Sequence, residues 1–196
     1  MYLVNESETL RLYIQAKNSL HFGGGVLECP YNFDHLHFHW GTEDDKGSEH
    51  KIDGLSYPLE MHVVHGIAEY RTTLDNIVVV SYFFQIDNKT TEGLKNLLEV
   101  TEAAAQNRHV KQNVKPFPLS SLVPNSSFSY YSYKGSLTMQ PYSETVTWII
   151  SNTVLSITPI DMEIFRKAAR IDEELENNFR ECQELNNRTV YFIQPV

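Results

Sequence analysis

The sequence predicts a mainly β fold whose sheet is mostly antiparallel, with a few surface helices. Three observations predict it: β-rich runs with period-two alternation recur along the whole chain, only two stretches carry helical spacing, and no Pro/Gly/Ser-rich linker or repeat divides the chain. At 196 residues, 41% hydrophobic and 12% aromatic, the chain has enough apolar side chains for one sizeable core, so residues 1–196 are expected to form a single domain.

The expected strands are Thr9 to Ile14, His35 to Trp40, Leu59 to His65, Ile77 to Ile86, Ser127 to Tyr133, Val146 to Ile150 and Thr189 to Ile193. The first helix is expected over Glu92 to Ala105, where Leu94, Leu97, Leu98 and Thr101 fall on one face. The second runs from Pro159 to Arg170, with Thr158 as N-cap and Pro159 at the first helical position. Gly23-Gly24-Gly25 lacks both the Gly-x-Gly-x-x-Gly spacing and a following Lys-Ser/Thr, so it reads as a tight turn and not a phosphate loop.

Charge and cysteine content narrow the function classes. Sixteen basic against 25 acidic residues give a net charge of −9 with no basic cluster, which disfavours a nucleic-acid partner. The apolar run Ile77 to Val80 is too short to span a bilayer, and glutamates interrupt the first ten residues where a signal peptide needs apolar side chains. A soluble protein is expected, with the cytoplasm favoured and secretion following only from a signal upstream of Met1. Cys29 and Cys182 are too few for a disulfide framework and are expected to be buried free thiols. Asn-x-Ser/Thr sequons begin at Asn5, Asn88, Asn125 and Asn187 and hint only weakly at secretion.

The chemistry concentrates in His35-Leu36-His37-Phe38-His39-Trp40-Gly41. On a strand, His35, His37 and His39 share one face while Leu36, Phe38 and Trp40 share the other. Leu59 to Val64 repeats the split, with Glu60, His62 and Val64 opposite Leu59, Met61 and Val63. Three neutral imidazoles leave the fourth tetrahedral position of a zinc ion open to water, a catalytic arrangement, and His37, His39 and His62 are able to supply them. Such a site lowers the pKa of bound water to about 7. Glu60 is placed to accept the second N–H of His62 and fix its tautomer. By spacing alone, His37, His39 and Glu43 also form half of a cupin iron site, but Tyr31 stands where that motif wants glycine and no later Pro-x-Gly-x-x-His element follows.

Ordered motifs along the whole chain resemble the α-carbonic anhydrases. His37 to Gly41, Gly47-Ser48-Glu49-His50 and Leu59 to His65 are similar to that family's His-Phe-His-Trp-Gly, Gly-Ser-Glu-His and Ala-Glu-Leu-His-Leu-Val-His. Tyr130 to Thr138 resembles its Tyr-x-Gly-Ser-Leu-Thr loop and is followed by Glu144 and Val146-Thr147-Trp148. Asn177-Asn178-Phe179-Arg180 with Gln183, Leu185, Asn186 and Arg188 resembles its closing signature.

The resemblance implies a central twisted, mostly antiparallel sheet with peripheral helices, and a zinc lyase that reversibly converts carbon dioxide to bicarbonate and a proton as a monomer. It makes His37, His39 and His62 the zinc ligands, with Glu60, His35 and Asn178 around them. Thr138 would accept a hydrogen bond from the nucleophile and pass its own proton toward Glu49. Val64, Val79, Leu137, Val146 and Trp148 match the wall of the family's apolar carbon dioxide pocket.

Departures from the family pattern bear on activity. Val4 to Leu10 resembles an Asn-x-Gly-His-Thr-Val strand well inside the family domain, so the family's N-terminal aromatic segment and first strands are expected to be missing, with apolar surface left open there. The same alignment puts Glu8 at the proton-shuttle position, where many active members carry histidine. A carboxylate, with an ordinary pKa of about 4.3, matches that relay poorly.

Met139 places a thioether at the pocket mouth, and His35 replaces a glutamine that commonly hydrogen-bonds the first ligand. Gly66 to Asn76 is shorter than usual, and Tyr142 replaces a cysteine used by secreted members. From another class comes the alternative of a carbonic anhydrase-related module that binds zinc or a protein partner without turnover. The presence of every ligand, Thr138 and Glu49 favours the enzyme.

Overall fold

The computed structural model describes residues 1–6, 8–16, 20–67, 77–123, 128–169 and 177–194. In chain order the elements are β1 (Tyr2–Asn5), β2 (Leu10–Tyr13), β3 (His21–Phe22), β4 (Tyr31–Trp40), β5 (Leu59–Gly66), β6 (Ile77–Ile86), α1 (Glu92–Gln106), β7 (Gln112–Asn113), β8 (Tyr130–Gly135), β9 (Val146–Ser151), β10 (Leu155–Ile157), α2 (Pro159–Ala169) and β11 (Tyr191–Ile193). The strands form one sheet in the order β11-β8-β9-β6-β5-β4-β2-β1-β7, with β10 on β6 and β3 on β4. Among the described residues, pairing is antiparallel except at β6–β9 and β6–β10. The mainly β, mostly antiparallel expectation therefore holds.

Period-two alternation in β4, β5 and β6 gives the sheet two chemically different faces. Leu36, Phe38, Trp40, Met61, Val63, Val80, Tyr82 and Phe84 point to one face and pack against Leu94, Leu97 and Leu98 of α1 and Met162 and Phe165 of α2. Burial of each such large side chain contributes roughly 1.5–3 kcal/mol. The opposite face carries His37, His39, Glu60, His62 and Ser81 beside a second apolar cluster of Val79, Phe83, Val146, Trp148 and Ile150. One face thus makes the core, and the other is left for polar chemistry.

Both helices lie where spacing puts them. The buried residues of α1 include Leu94, Leu97, Leu98, Thr101, Ala104 and Ala105. The Thr158 hydroxyl accepts the Asp161 N–H at 3.2 Å, which is the N-cap bond expected of it. Arg170, the expected end of α2, lies outside the described residues, as do 68–76 of the shortened segment and Ser127 of an expected strand.

Other expectations are corrected. Strands β1, β3, β7 and β10 carry two to four residues each, too few for a periodic signal, and exist because a neighbour pairs with them. The first and last expected strands shrink to Leu10–Tyr13 and Tyr191–Ile193, and His35 to Trp40 extends back to Tyr31. Cys29 and Cys182 are exposed, not buried, since both lie in irregular segments that run over the surface.

Nor do β1 and β2 leave apolar surface open, because Leu3, Val4, Leu10 and Leu12 are all buried. The exposed aromatics Tyr191 and Phe192 sit at the other edge, on β11. The glycine run does turn the chain, with Gly24 and Gly25 at positive φ and the Leu27 N–H on the Gly24 carbonyl at 3.1 Å. No helix among the described residues is long and apolar enough to cross a membrane.

Candidate metal centre

The antiparallel register of β4 and β5 sets His37 directly opposite His62 and His39 opposite Glu60. Opposed residues share a face, so three imidazoles meet. Their ring centroids are 5.0 Å (His37–His39), 5.1 Å (His37–His62) and 4.7 Å (His39–His62) apart, and one nitrogen of each lies within 4.8 Å of the others.

All three are buried, and burial lowers their pKa values: His37 well below the ordinary value, His39 to about 4, and His62 downward against the opposing Glu60 charge. The rings are therefore neutral and carry a lone pair each. His39 Nδ1 donates to the Asn178 carbonyl at 2.8 Å, which makes it the N–H and leaves Nε2 buried, with no hydrogen-bond partner among the described residues. His62 Nε2 lies 2.6 Å from Glu60 Oε1, so Nδ1 bears its lone pair. A buried nitrogen without a partner costs about 1–3 kcal/mol, and a metal ion would satisfy it. The donor set fits zinc, which takes neutral imidazoles in a tetrahedral shell.

Glu60 is the hub behind the ligands. It has no solvent exposure, and Oε1 accepts from His62 Nε2 (2.6 Å), His50 Nδ1 (2.7 Å) and Ser81 Oγ (2.6 Å) while Oε2 accepts from the N–H groups of Glu49 (2.7 Å) and His50 (3.0 Å). Burial pushes its pKa up, but His50 and His62 outweigh burial and hold the carboxyl well below the usual range. His50 is fixed in turn by the Tyr133 hydroxyl, 2.8 Å from Nε2.

His50, Ser81 and Tyr133 were not singled out by sequence reasoning. A signal for Ser81 existed: it is the one hydroxyl in the apolar run Val78 to Phe84 that shares the face of Val79 and Phe83. His50, Glu60 and His62 also lie at metal-binding distance from one another, but five donors already fill the Glu60 oxygens, so they make a hydrogen-bond network.

Glu49 enters from the loop before β5. Gly47 has φ +145°, and a Cβ there would stand 2.2 Å from the Pro58 carbonyl oxygen, so only glycine lets the loop approach this closely. Glu49 Oε1 accepts the Arg180 N–H at 2.7 Å. Oε2 has no hydrogen-bond partner among the described residues, and the Thr138 hydroxyl favours the ionised carboxyl. Burial acts first and raises the Glu49 pKa, with the Glu60 carboxylate adding to it, while His62 and the Thr138 hydroxyl act in the other direction.

The expected pocket residues fall into two groups. Val79, Val146 and Trp148 are buried in the second cluster, with Val64 and Leu137 packed against it. The Trp148 ring lies 4.8 Å from that of His62, and its Nε1 donates to the Ser136 carbonyl at 3.0 Å. Met139 stands apart from that cluster, its Sδ 4.0 Å from Arg11 Nη2.

The Asn178 side chain ties the C-terminal segment to β4: Oδ1 accepts the Trp40 N–H at 2.6 Å, and Nδ2 donates to the carbonyls of Phe38 (3.0 Å) and Glu8 (2.9 Å). Glu8 is exposed in the bend between β1 and β2. His35 does not hydrogen-bond the first ligand. At the register shift between Phe33 and His35, Asp34 takes His35 Nδ1 at 2.7 Å, and the ring stacks on His37 at 5.2 Å while His37 Nδ1 has no hydrogen-bond partner among the described residues.

Comparison with known proteins gives the family of the chain. The family profile described as eukaryotic-type carbonic anhydrase matches residues 1–194. Mouse carbonic anhydrase 7 is 37% identical over 181 residues, covering 85% of this chain and 67% of that protein. Human mitochondrial carbonic anhydrase 5A is 34% identical over 182 residues, 86% of this chain and 58% of that protein. The human carbonic anhydrase-related protein is 30% identical over 208 aligned positions, 96% of this chain and 70% of that protein. The chain thus spans between just over half and just over two thirds of the length of these relatives. With a matching profile over nearly every residue and relatives above 30% identity, the chain belongs to the eukaryotic-type carbonic anhydrase family.

Proposed function

We propose that this protein is a zinc-dependent enzyme that reversibly hydrates carbon dioxide to bicarbonate and a proton, acting as a monomer built on one domain. The observation that carries the proposal is the convergence of three buried, neutral imidazoles beside a buried apolar cluster. His37, His39 and His62 would hold the ion. Zinc in a three-histidine site supplies Lewis acidity that makes water nucleophilic near neutral pH.

The rest of the work falls to the chain. Asn178 and Glu60 fix the tautomers of His39 and His62, so that each ring presents a lone pair where it is needed. Glu49, when ionised, accepts a hydrogen bond from the Thr138 hydroxyl; the Thr138 oxygen is then able only to accept from the nucleophile, which turns a lone pair of the nucleophile's oxygen toward the carbon of the substrate. Val64, Val79, Leu137, Val146 and Trp148 offer carbon dioxide an apolar wall. Bicarbonate, being charged, gains nothing from that wall and leaves. Glu8, exposed in the bend between β1 and β2, would take the place of the relay histidine in passing the proton to solvent.

Metal analysis and stopped-flow hydration test the proposal together. The purified protein should contain one zinc per chain, and His62→Ala should lose most of it, since one of three protein ligands is gone. Full zinc affinity in His62→Ala would overturn the assignment. A second reading, zinc binding without turnover, draws support from the match to the carbonic anhydrase-related protein. Zinc-loaded protein that fails to accelerate hydration would favour it.

A further inference from the structure

Arg11 on β2 pairs with His37 on β4, so its guanidinium stands on the face of the three imidazoles. Its side chain is only 19% exposed. Nη1 donates to Glu6 Oε2 at 2.5 Å and lies 3.4 Å from the Tyr13 hydroxyl, which itself donates to Glu6 Oε1 at 2.8 Å. Nη2 faces the Met139 sulfur at 4.0 Å, and Nε is buried with no hydrogen-bond partner among the described residues. The counter-charge thus sits at one end of the guanidinium. Among the described residues the Nε–Nη2 edge, the fork that meets a planar oxyanion with two parallel N–H bonds, has no oxygen acceptor: Nε has no hydrogen-bond partner and Nη2 has the Met139 thioether.

We propose that this edge of Arg11 is an anion subsite beside the metal centre, taking compact planar monoanions of the bicarbonate class. The positive field of Arg11 reaches His35, His37 and His39, each of whose pKa it helps to lower. The proposal deepens the carbon dioxide reading and rests on it, because bicarbonate is the anion that reaction would form at this place. The apolar wall lets the product go, and Arg11 retains it, so this chain should be unusually sensitive to small anions.

Zinc content is measured first for the wild type, Arg11→Gln, Arg11→Lys and Glu6→Gln. Each is then titrated calorimetrically with bicarbonate at constant ionic strength. Arg11→Gln should weaken bicarbonate binding roughly tenfold, the size of one charge-assisted hydrogen bond. Arg11→Lys should recover only part of the loss, since the charge returns without the fork. Glu6→Gln should tighten binding, because the guanidinium loses its competitor; a merely structural Arg11–Glu6 pair predicts weaker binding instead, so this variant decides even where Arg11→Gln does not fold.

Unchanged bicarbonate affinity in zinc-loaded Arg11→Gln would overturn the subsite and leave the metal centre standing. Wild-type protein without zinc would overturn the metal centre alone, and the subsite would then be judged by the rise in thermal midpoint that bicarbonate gives the metal-free protein. Loss of that rise in Arg11→Gln supports the subsite; its persistence refutes it.

Discussion

His65 sets a steep acid limit on stability. It lies on β5 with its neighbours Val63 and Met61 on the core side, 5% exposed, stacked on Phe22 at 4.9 Å and edge-on to Phe33 at 6.1 Å. Burial, opposed by hydrogen bonds that the ring donates to the Val78 and Val63 backbone, lowers its pKa to about 4. An unfolded histidine titrates near 6.5. Between those two values the unfolded chain binds a proton that the folded one refuses, so stability falls as pH drops through the window from about 6.5 to about 4 and is flat outside it.

Linkage puts the loss between pH 7 and pH 5 at about 2 kcal/mol, a large share of the roughly 5–15 kcal/mol that holds a domain together. Replacement of His65 by Phe keeps an aromatic between Phe22 and Phe33 and removes the titration. Urea unfolding of both proteins at pH 7 and pH 5, under identical metal conditions, should show the wild type losing about 2 kcal/mol more than His65→Phe. Equal losses in the two proteins would refute the linkage argument, whatever the absolute stability of the variant.

Other outcomes test the site. Thr138→Ala should retain zinc while kcat/KM for hydration falls roughly a hundredfold, the scale of a misoriented nucleophile; an unchanged kcat/KM would remove Thr138 from the mechanism. Glu60→Gln should weaken zinc binding by roughly 10- to 100-fold in competition with a chelator, because His62 loses the partner that fixes its tautomer. The Glu60 carboxylate, held at low pKa by His50 and His62, stabilises the fold above the ordinary carboxylate range and loses that contribution as pH falls through its lowered pKa, so the same variant should show a flatter acid limb in a thermal-midpoint titration. Glu8→His should raise kcat without changing kcat/KM, and imidazole buffer should raise wild-type kcat; no buffer dependence would mean that proton transfer does not limit turnover.

Alternation made the two-faced strands legible from residues alone. In His35 to Trp40 and Leu59 to Val63, each polar side chain alternates with an apolar residue, and a strand resolves that pattern by sending the two kinds to opposite faces; His65, by the same period, falls on the core side. The spacing of Leu94, Leu97, Leu98 and Thr101 likewise marked α1, and the Thr158-Pro159 pair marked the start of α2. Local chemistry suffices for such features, because neighbours in sequence create them.

What required the tertiary structure was every relation between distant segments. Register between β4 and β5 decides that His37 faces His62, and a slip of one residue would have sent His62 into the core. Long-range packing brings His50, Ser81 and Tyr133 around Glu60, sets Arg11 opposite His37, and lets Asp34 divert His35 from the ligand it was expected to hold. The short strands β3 and β7 and the exposure of both cysteines are of the same kind. A two-residue strand has no period of its own, and whether a thiol in a loop meets solvent depends on what packs over it. Both are properties of the pairing partner and the covering layer, which the folded chain alone assembles.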